Sequence, residues 1–546
     1  MPTGLGSRPT FSCSHLESFR YISPTSRRAH PNDTERSRHF TSMSPSIKSF
    51  ELDEVSIADL QDQMRSGKRS ARSIAESYRA RIEEIDRRGP ALSSVIELNP
   101  DALAIADALD KERKERGARG PLHGIPILIK DNIDTADQMM TTAGSLALEG
   151  SRPVSDSFVV RKLREAGAVI LGKTNLSEWA NFRSSHSTSG WSGRGGLTRN
   201  PYALDRNACG SSAGSAAAVS ANLCAATIGT ETDGSIVSPA SINGIVGIKP
   251  TVGLVSRSGI IPISHSQDTA GPMCRSVRDA AMMLSAIVGV DPEDDAAASS
   301  GARSKSDYTV FLHADGLKGA RIGVVRKLFG YHEALDAVIE ESIVAMKKHG
   351  AIVIDPANLE GLGKLRVSEI IVMLYEFKAD LNAYLSRLGP DASVHSLQEI
   401  IDFNDRNREK EMPHFGQDLL LKAEAMGPLD SPEYLDAITT NRRLARTEGI
   451  DAVMDKFELD ALVAPTRGPA WVTDLVNGDP ARGSSSSPAA IAGYPHITVP
   501  AGFVAGLPVG ISFFGRAWSE PTLIKLAYAF EQVTKARRPP GFLLSV

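Results

Sequence analysis

Three short stretches of this chain place nucleophile-forming and base-forming side chains where each needs a reason. Lys130 closes an apolar run in HGIPILIKDNID, His123 to Asp134. An ammonium group there is costly to bury unless it is paired or neutral. Ser211 and Ser212 lie between Gly210 and Gly214, ahead of a small-residue run. Thr232, Asp233, Gly234 and Ser235 end a strand-like segment in a turn. Successive amides of such a turn can face one hollow and hold a developing oxyanion. Singly, each stretch has an ordinary reading: a strand-end lysine reaching solvent or paired with Asp131 or Asp134, a helix cap, a turn serine. Together they supply the parts of a Ser-Lys hydrolase that needs no histidine.

The elements that must position these groups follow from periodicity. Ser56 caps a helix over IADLQDQMRSG, and a second helix is predicted from Ser70 to Asp86. His123 to Asp134 reads as a buried strand feeding a loop. Asp156 to Gly167 is helix-like, and AVILGKTN (Ala168 to Asn175) is another short buried strand. Strands alternating with helices predict an α/β fold, with a large mixed, mainly parallel central sheet covered by helices on both faces. The polar, Ser- and Gly-rich stretch from Arg183 to Ser215 is too long for an incidental loop and reads as functional or disordered. SAAAVSANLC is a small-residue helix, and ATIGTETDGSI a strand ending in a tight turn. Asp291 to Asp307 is expected to be an exposed connection. Helices dominate from there to about Gly449, including SEIIVMLYEFKADLNAYLSRLG. Strands return at Asp460 to Pro465, His496 to Gly502 and Pro508 to Gly515.

Several motif matches fail on context. GAVILGKT (Gly167 to Thr174) spells a phosphate loop, but its four variable residues are Ala-Val-Ile-Leu, a buried strand, with a helix before rather than after it. Gly210-Ser211-Ser212-Ala213-Gly214 spells a nucleophile elbow, yet polar NPYALDRNAC precedes it where an apolar strand is needed. A Ser212 nucleophile with His265 or His496 stays open as an esterase-type alternative. Asn175-Leu176-Ser177 is a glycosylation sequon in spelling only, because it abuts a predicted core strand.

The bulk properties exclude other classes. The chain has 546 residues, 41% hydrophobic and 23% charged, with a formal net charge of −4. Nothing there calls for nucleic acid or an anionic membrane as partner. No apolar run reaches the roughly 18 residues a membrane span requires. Cys13, Cys209, Cys224 and Cys274 lack metal-ligand spacing and read as reduced thiols. Residues 1–48 form a Ser-, Arg- and Pro-rich leader with few acids. That composition suits a disordered tail on a cytoplasmic enzyme, with a mitochondrial transit peptide as the alternative; Pro9, Pro24 and Pro31 would interrupt the helix a transit peptide needs. Met43 is a second candidate start. The expected organisation is one domain over 49–546: a core at about 120–280, a variable helical region at about 323–449 and a closing sheet segment at about 458–540.

The stretch from Asn200 to Met273, which contains CGSSAGSAAA and GTETDGSIVSPASINGIVGIKP, resembles the amidase signature family. GIPILIKDNID matches that family's lysine segment, and APT, AGYPHITVPAG, GLPVGISFFG and AYAFEQVT match its closing pattern. The resemblance runs from about residue 50 to the end. It implies a Ser-Ser-Lys triad: Ser235 as nucleophile, Ser211 as bridging serine and Lys130 as base. The two serines are 24 positions apart, which leaves room for one helix and one returning strand. Amides of Thr232, Asp233, Gly234 and Ser235 are implied as the oxyanion hole. The implied reaction is cleavage of a carboxamide through an acyl-enzyme, without metal or organic cofactor. The base must then lose its proton near pH 7, a displacement worth about 4 kcal/mol that burial would supply.

Two departures are informative. Many family members carry Gly at the place of Asp233 and Arg at that of Val237; both residues here resemble the peptide-amidase branch. A carboxylate at Asp233 would oppose an oxyanion unless it points away. The implied substrate is a small-molecule or peptide amide, with primary amides of extended acyl chains favoured. The alternatives are a glutaminase subunit of an amidotransferase, which Asp233 and Val237 disfavour, and an inactive binding protein. The substrate's acyl group and the oligomeric state stay open.

Overall fold

The computed structural model describes residues 49–298, 300–301, 303–389, 392–480 and 483–546; the leader read over 1–48 lies outside them. Thirteen strands are described: β1 (Val95–Leu98), β2 (Pro126–Lys130), β3 (Val169–Thr174), β4 (Trp191–Ser192), β5 (Gly196–Leu197), β6 (Ala226–Glu231), β7 (Val246–Lys249), β8 (Thr269–Cys274), β9 (Arg321–Val324), β10 (Ile352–Ile354), β11 (Ala461–Pro465), β12 (His496–Val504) and β13 (Leu507–Phe514). Eleven form one sheet in the order β1-β3-β2-β6-β8-β7-β12-β13-β11-β9-β10, and β4 and β5 form a separate small hairpin.

The sheet is mixed, as expected, but not mainly parallel. Only β2 with β3, β2 with β6, β11 with β9 and β9 with β10 run parallel; the remaining neighbours are antiparallel. The reason is local. β12 and β13 form a tight hairpin, and β8 inserts between β6 and β7, so these connections are not right-handed crossovers.

Where strands carry the core, their residues are buried along the whole length, as in PILIK of β2 and VILGKT of β3. Such two-sided burial explains why these segments read as apolar runs rather than alternating patterns. Helix termini follow capping chemistry. Ser56 and Asp59 form a reciprocal box at the start of Ile57–Arg65, and Ser157 caps Phe158–Glu165. The helix predicted from Ser70 to Asp86 is Ala71–Arg81 followed by a π turn over Ile82–Arg87. The connection expected to be exposed at 291–307 is partly buried. Asp291 accepts from Ser256 at 2.5 Å and Asp294 from the Arg257 amide at 2.7 Å, anchoring it to the loop after β7.

Three features gather the candidate residues. β2 and β6 are parallel neighbours, so Lys130 and the turn after Glu231 emerge at the same end of the sheet. Strand C-termini at such an edge are where open α/β sheets place their sites. The helix Ala213–Ser220 packs so closely beside them that a side chain on Gly214 would meet the Ser94 carbonyl at 2.3 Å and that of Asn175 at 2.5 Å. The long helix Leu362–Leu385 of the variable region meets the loop before β8, where Glu369 accepts from Gln267 at 3.1 Å.

Candidate active site

Lys130 is fully buried. Its Nζ donates to Ser211 Oγ at 2.7 Å, to Thr230 Oγ1 at 2.8 Å and to the Thr230 carbonyl at 3.3 Å. It pairs with neither Asp131, which accepts from Thr142 and Arg194, nor Asp134, which accepts from Tyr384. Burial pulls its pKa from 10.5 down to about 7, opposed by the more distant charges of Asp268 and Glu231. The amine is therefore poised to exchange its proton at neutral pH.

Burial alone does not single this residue out, because Lys173 and Lys249 are equally enclosed. Lys173 donates to the Ile133 carbonyl at 2.6 Å and to Thr141 at 2.9 Å. Lys249 donates to the Tyr494 carbonyl at 2.8 Å. Only Lys130 of the three touches a serine hydroxyl.

Ser211 and Ser235 are both buried, at 1% and 9% exposure. The Ser212 amide donates to the Ser235 carbonyl at 3.2 Å, which holds the two serine-bearing loops side by side. The turn itself is shaped by Glu231. Its Oε2 accepts from the amides of Ile236 at 2.7 Å and Val237 at 2.9 Å, folding the chain back on itself. Among the described residues, the amides of Thr232, Asp233, Gly234 and Ser235 have no protein acceptor. Four free consecutive donors in a tight turn can stabilise an oxyanion. Gly234 has φ +79°, and a side chain on it would sit 2.9 Å from both Ser238 Oγ and Ser486 Oγ.

Thr232 Oγ1 donates to Asp268 at 2.5 Å; Asp268 also accepts from the amides of Ile263 at 2.7 Å and Ser264 at 2.9 Å. Burial raises the Asp268 carboxyl to about 6. Asp233 Oδ2 accepts from Ser487 Oγ at 2.6 Å, so its carboxylate does turn aside from the free amides. A cavity of about 800 Å³ opens beside this edge. It is lined by Asn132, Thr230 and Thr232 at the site, and by Tyr384, Arg446 and Trp518 further out.

The rejected motifs are absorbed into structure. GAVILGKT is β3 with Lys173 turned into the core. Asn175 is buried, its Oδ1 accepting from Ser192 at 2.7 Å. Ser212 Oγ is fully buried and donates to the Thr230 carbonyl at 3.1 Å. His496 bonds Ser512 at 2.5 Å, and His265 bonds Asp380 at 2.9 Å. Neither of these histidines serves Ser212, so the esterase-type alternative fails. His265, Glu376 and Asp380 bring metal-type ligand atoms within 4.8 Å of one another. Their lone pairs are already engaged: Glu376 accepts from Ser264, Ser266 and Tyr434, and Asp380 from the His265 amide. That cluster is a hydrogen-bonded clasp.

Sequence reasoning missed Thr230, Glu231, Gln267 and Asp268. All lie in the block that carried the resemblance, but their partners are distant in sequence and no spacing marked them.

Residues 73–524 match the sequence profile of the amidase family. Over 503 residues the chain is 44% identical to a probable amidase of Arabidopsis thaliana, covering 90% of this chain and 93% of that one. A solved peptide amidase in complex with the competitive inhibitor chymostatin is 53% identical, with a TM-score of 0.88 over 90% of this chain and all (100%) of that one. Native peptide amidase from Stenotrophomonas maltophilia is 52% identical, with a TM-score of 0.86 over 90% of this chain and 99% of that one. Fold and relatives define an enzyme that hydrolyses the C–N bond of carboxamides. The chain belongs to the amidase family.

Proposed function

We propose that the enzyme removes the amide nitrogen from a primary amide at the end of an extended acyl chain, such as a C-terminally amidated peptide. Ser235 is the nucleophile, Ser211 relays the proton and Lys130 is the base. Neutral Lys130 accepts the Ser211 proton as Ser211 accepts that of Ser235, whose oxygen attacks the amide carbon. Amides of the 232–235 turn hold the oxyanion, each worth on the order of 3 kcal/mol at the transition state. The relay then returns the proton to the leaving nitrogen, and water hydrolyses the ester in the same manner.

The observation that carries this reading is the 2.7 Å contact of a buried, neutral-poised Lys130 with Ser211. The likeness to solved peptide amidases supports the substrate class. The 800 Å³ cavity beside the site is large enough for an acyl chain of peptide size. The test is a panel of peptide amides, fatty acyl amides and aryl amides, with a fluorophosphonate adduct located by mass spectrometry. Labelling at Ser235 and preference for peptide amides are expected. An adduct elsewhere removes the triad; preference for aryl or fatty amides removes the substrate class alone.

A further inference from the structure

An amide and an ester of the same acid differ at one atom. The nitrogen that leaves an amide carries N–H donors, whereas the oxygen that leaves an ester brings no hydrogen. A site that selects amides therefore needs a hydrogen-bond acceptor beside that nitrogen. A buried acceptor with no protein partner is the group to look for, because leaving it unmade is costly.

Asn132 carries such a group. It follows Lys130 by two residues, in the loop that leaves β2, and is 2% exposed. Its backbone is held on both sides. Its carbonyl accepts from the Ile261 amide at 2.9 Å, and the next carbonyl, that of Ile133, accepts from Lys173 Nζ at 2.6 Å. Its side-chain Nδ2 donates to Thr230 Oγ1 at 3.0 Å, the same oxygen that takes Lys130 Nζ at 2.8 Å. Its Oδ1 is buried and has no hydrogen-bond partner among the described residues. Asn132 lines the 800 Å³ cavity together with Thr230 and Thr232, whose hydroxyls are both engaged.

We infer that Asn132 is a specificity-determining residue whose Oδ1 accepts an N–H of the scissile carboxamide, so that the site selects amides over esters. The inference rests on the triad reading above.

The role follows from what the leaving nitrogen must do. After attack by Ser235 its lone pair has to face the Ser211 hydroxyl to receive the relayed proton. An acceptor on one N–H fixes that rotation, where a nitrogen free to turn would present its lone pair only part of the time. Asn132 is tied to the relay itself: Ser211 Oγ, Lys130 Nζ, Thr230 Oγ1 and Asn132 Nδ2 form one run of contacts of 2.7, 2.8 and 3.0 Å. The nitrogen keeps its own N–H groups and gains the relay proton as the C–N bond breaks, so Asn132 neither takes nor gives a proton. A neutral acceptor suits this place, because a carboxylate so close to Lys130 would favour its charged form and cost the base.

The test is kcat/KM for a peptide amide and for the methyl ester of the same peptide, with wild type, Asn132→Leu and Asn132→Ala, and Tm as a folding control. Both substrates form the same acyl-enzyme and both leaving groups take the relay proton, but only the amide offers an N–H. Where the methyl ester is too slow to measure, the p-nitrophenyl ester takes its place. Each variant should lose at least about 10-fold more on the amide than on the ester. Equal losses on the two substrates overturn the inference, since an asparagine that only braces Thr230 affects both alike; so does an amide rate equal to that of wild type. If Asn132→Leu does not fold, the ratio in Asn132→Ala decides alone. Fluorophosphonate labelling of wild type separates the two claims: an unlabelled Ser235 sinks the triad, whereas a labelled Ser235 with an unchanged amide-to-ester ratio sinks only the role of Asn132.

Discussion

The Ser212 amide donates to the Ser235 carbonyl at 3.2 Å, while Ser212 Oγ donates to the Thr230 carbonyl at 3.1 Å. One residue therefore ties the loop carrying Ser211 to both the strand that orients Lys130 and the turn that carries Ser235. Ser212 is the staple, and in the proposed triad Ser211 is the chemical group, although the two are neighbours in a motif where spelling favours Ser212.

Replacing Lys130 by Arg keeps the positive charge and the donor capacity but removes the ability to become neutral. We expect kcat/KM to drop by at least about 1,000-fold, at the scale of losing a general base together with its relay. Steady-state turnover of a peptide amide checks this, and activity within 10-fold of wild type would remove Lys130 as the base.

The acid limb of activity should track the lysine. With Lys130 at about 7, kcat/KM should rise with pH through that region as the amine becomes neutral. The sign for stability is the same. The unfolded chain, with its lysine near 10.5, binds the proton that the folded chain has released. This residue's contribution to stability therefore improves from about pH 7 up to about 10.5, and is least favourable below 7. Comparing denaturant unfolding of wild type and Lys130→Met across pH 6 to 10 isolates the term; a difference independent of pH would contradict it.

Thr230 supplies two of the three acceptors around the amine. Thr230→Val keeps the shape and the carbonyl but deletes the hydroxyl. A lost hydrogen bond of about 1 to 2 kcal/mol predicts a 5- to 30-fold fall in kcat, and Thr230→Ser should recover most of it. Equal rates for the Val and Ser variants would show that the hydroxyl is idle.

Gly234→Ala forces a side chain onto a positive φ and to 2.9 Å from two serine oxygens. The strain is about 1 to 3 kcal/mol. Because the residue lies among the free amides, kcat should fall by more than 10-fold with little change in KM. A variant that loses stability but keeps its kcat would show that the turn geometry does not serve the transition state.

Much of this protein was legible in its sequence because the signals were local. The apolar run ending in Lys130, the glycine-flanked serines and the TDGS turn each occupy a few contiguous residues, and burial of a strand on both faces writes itself as an uninterrupted apolar run. Membership of the amidase family followed from those same stretches. Strand direction did not, because apolar runs are the same whichever way a strand runs; the β12–β13 hairpin and the insertion of β8 made the sheet more antiparallel than expected. Apolar patterning alone does not rank three equally buried lysines; the family resemblance of the Lys130 segment did. The packing separates them further: Lys130 reaches the Ser211 hydroxyl, while Lys173 donates to the Ile133 carbonyl and Thr141 and Lys249 to the Tyr494 carbonyl. The fate of Asp233 was settled from farther still: its partner Ser487 is brought to the turn by a helix 254 residues away, through a contact that leaves no periodic trace along the chain.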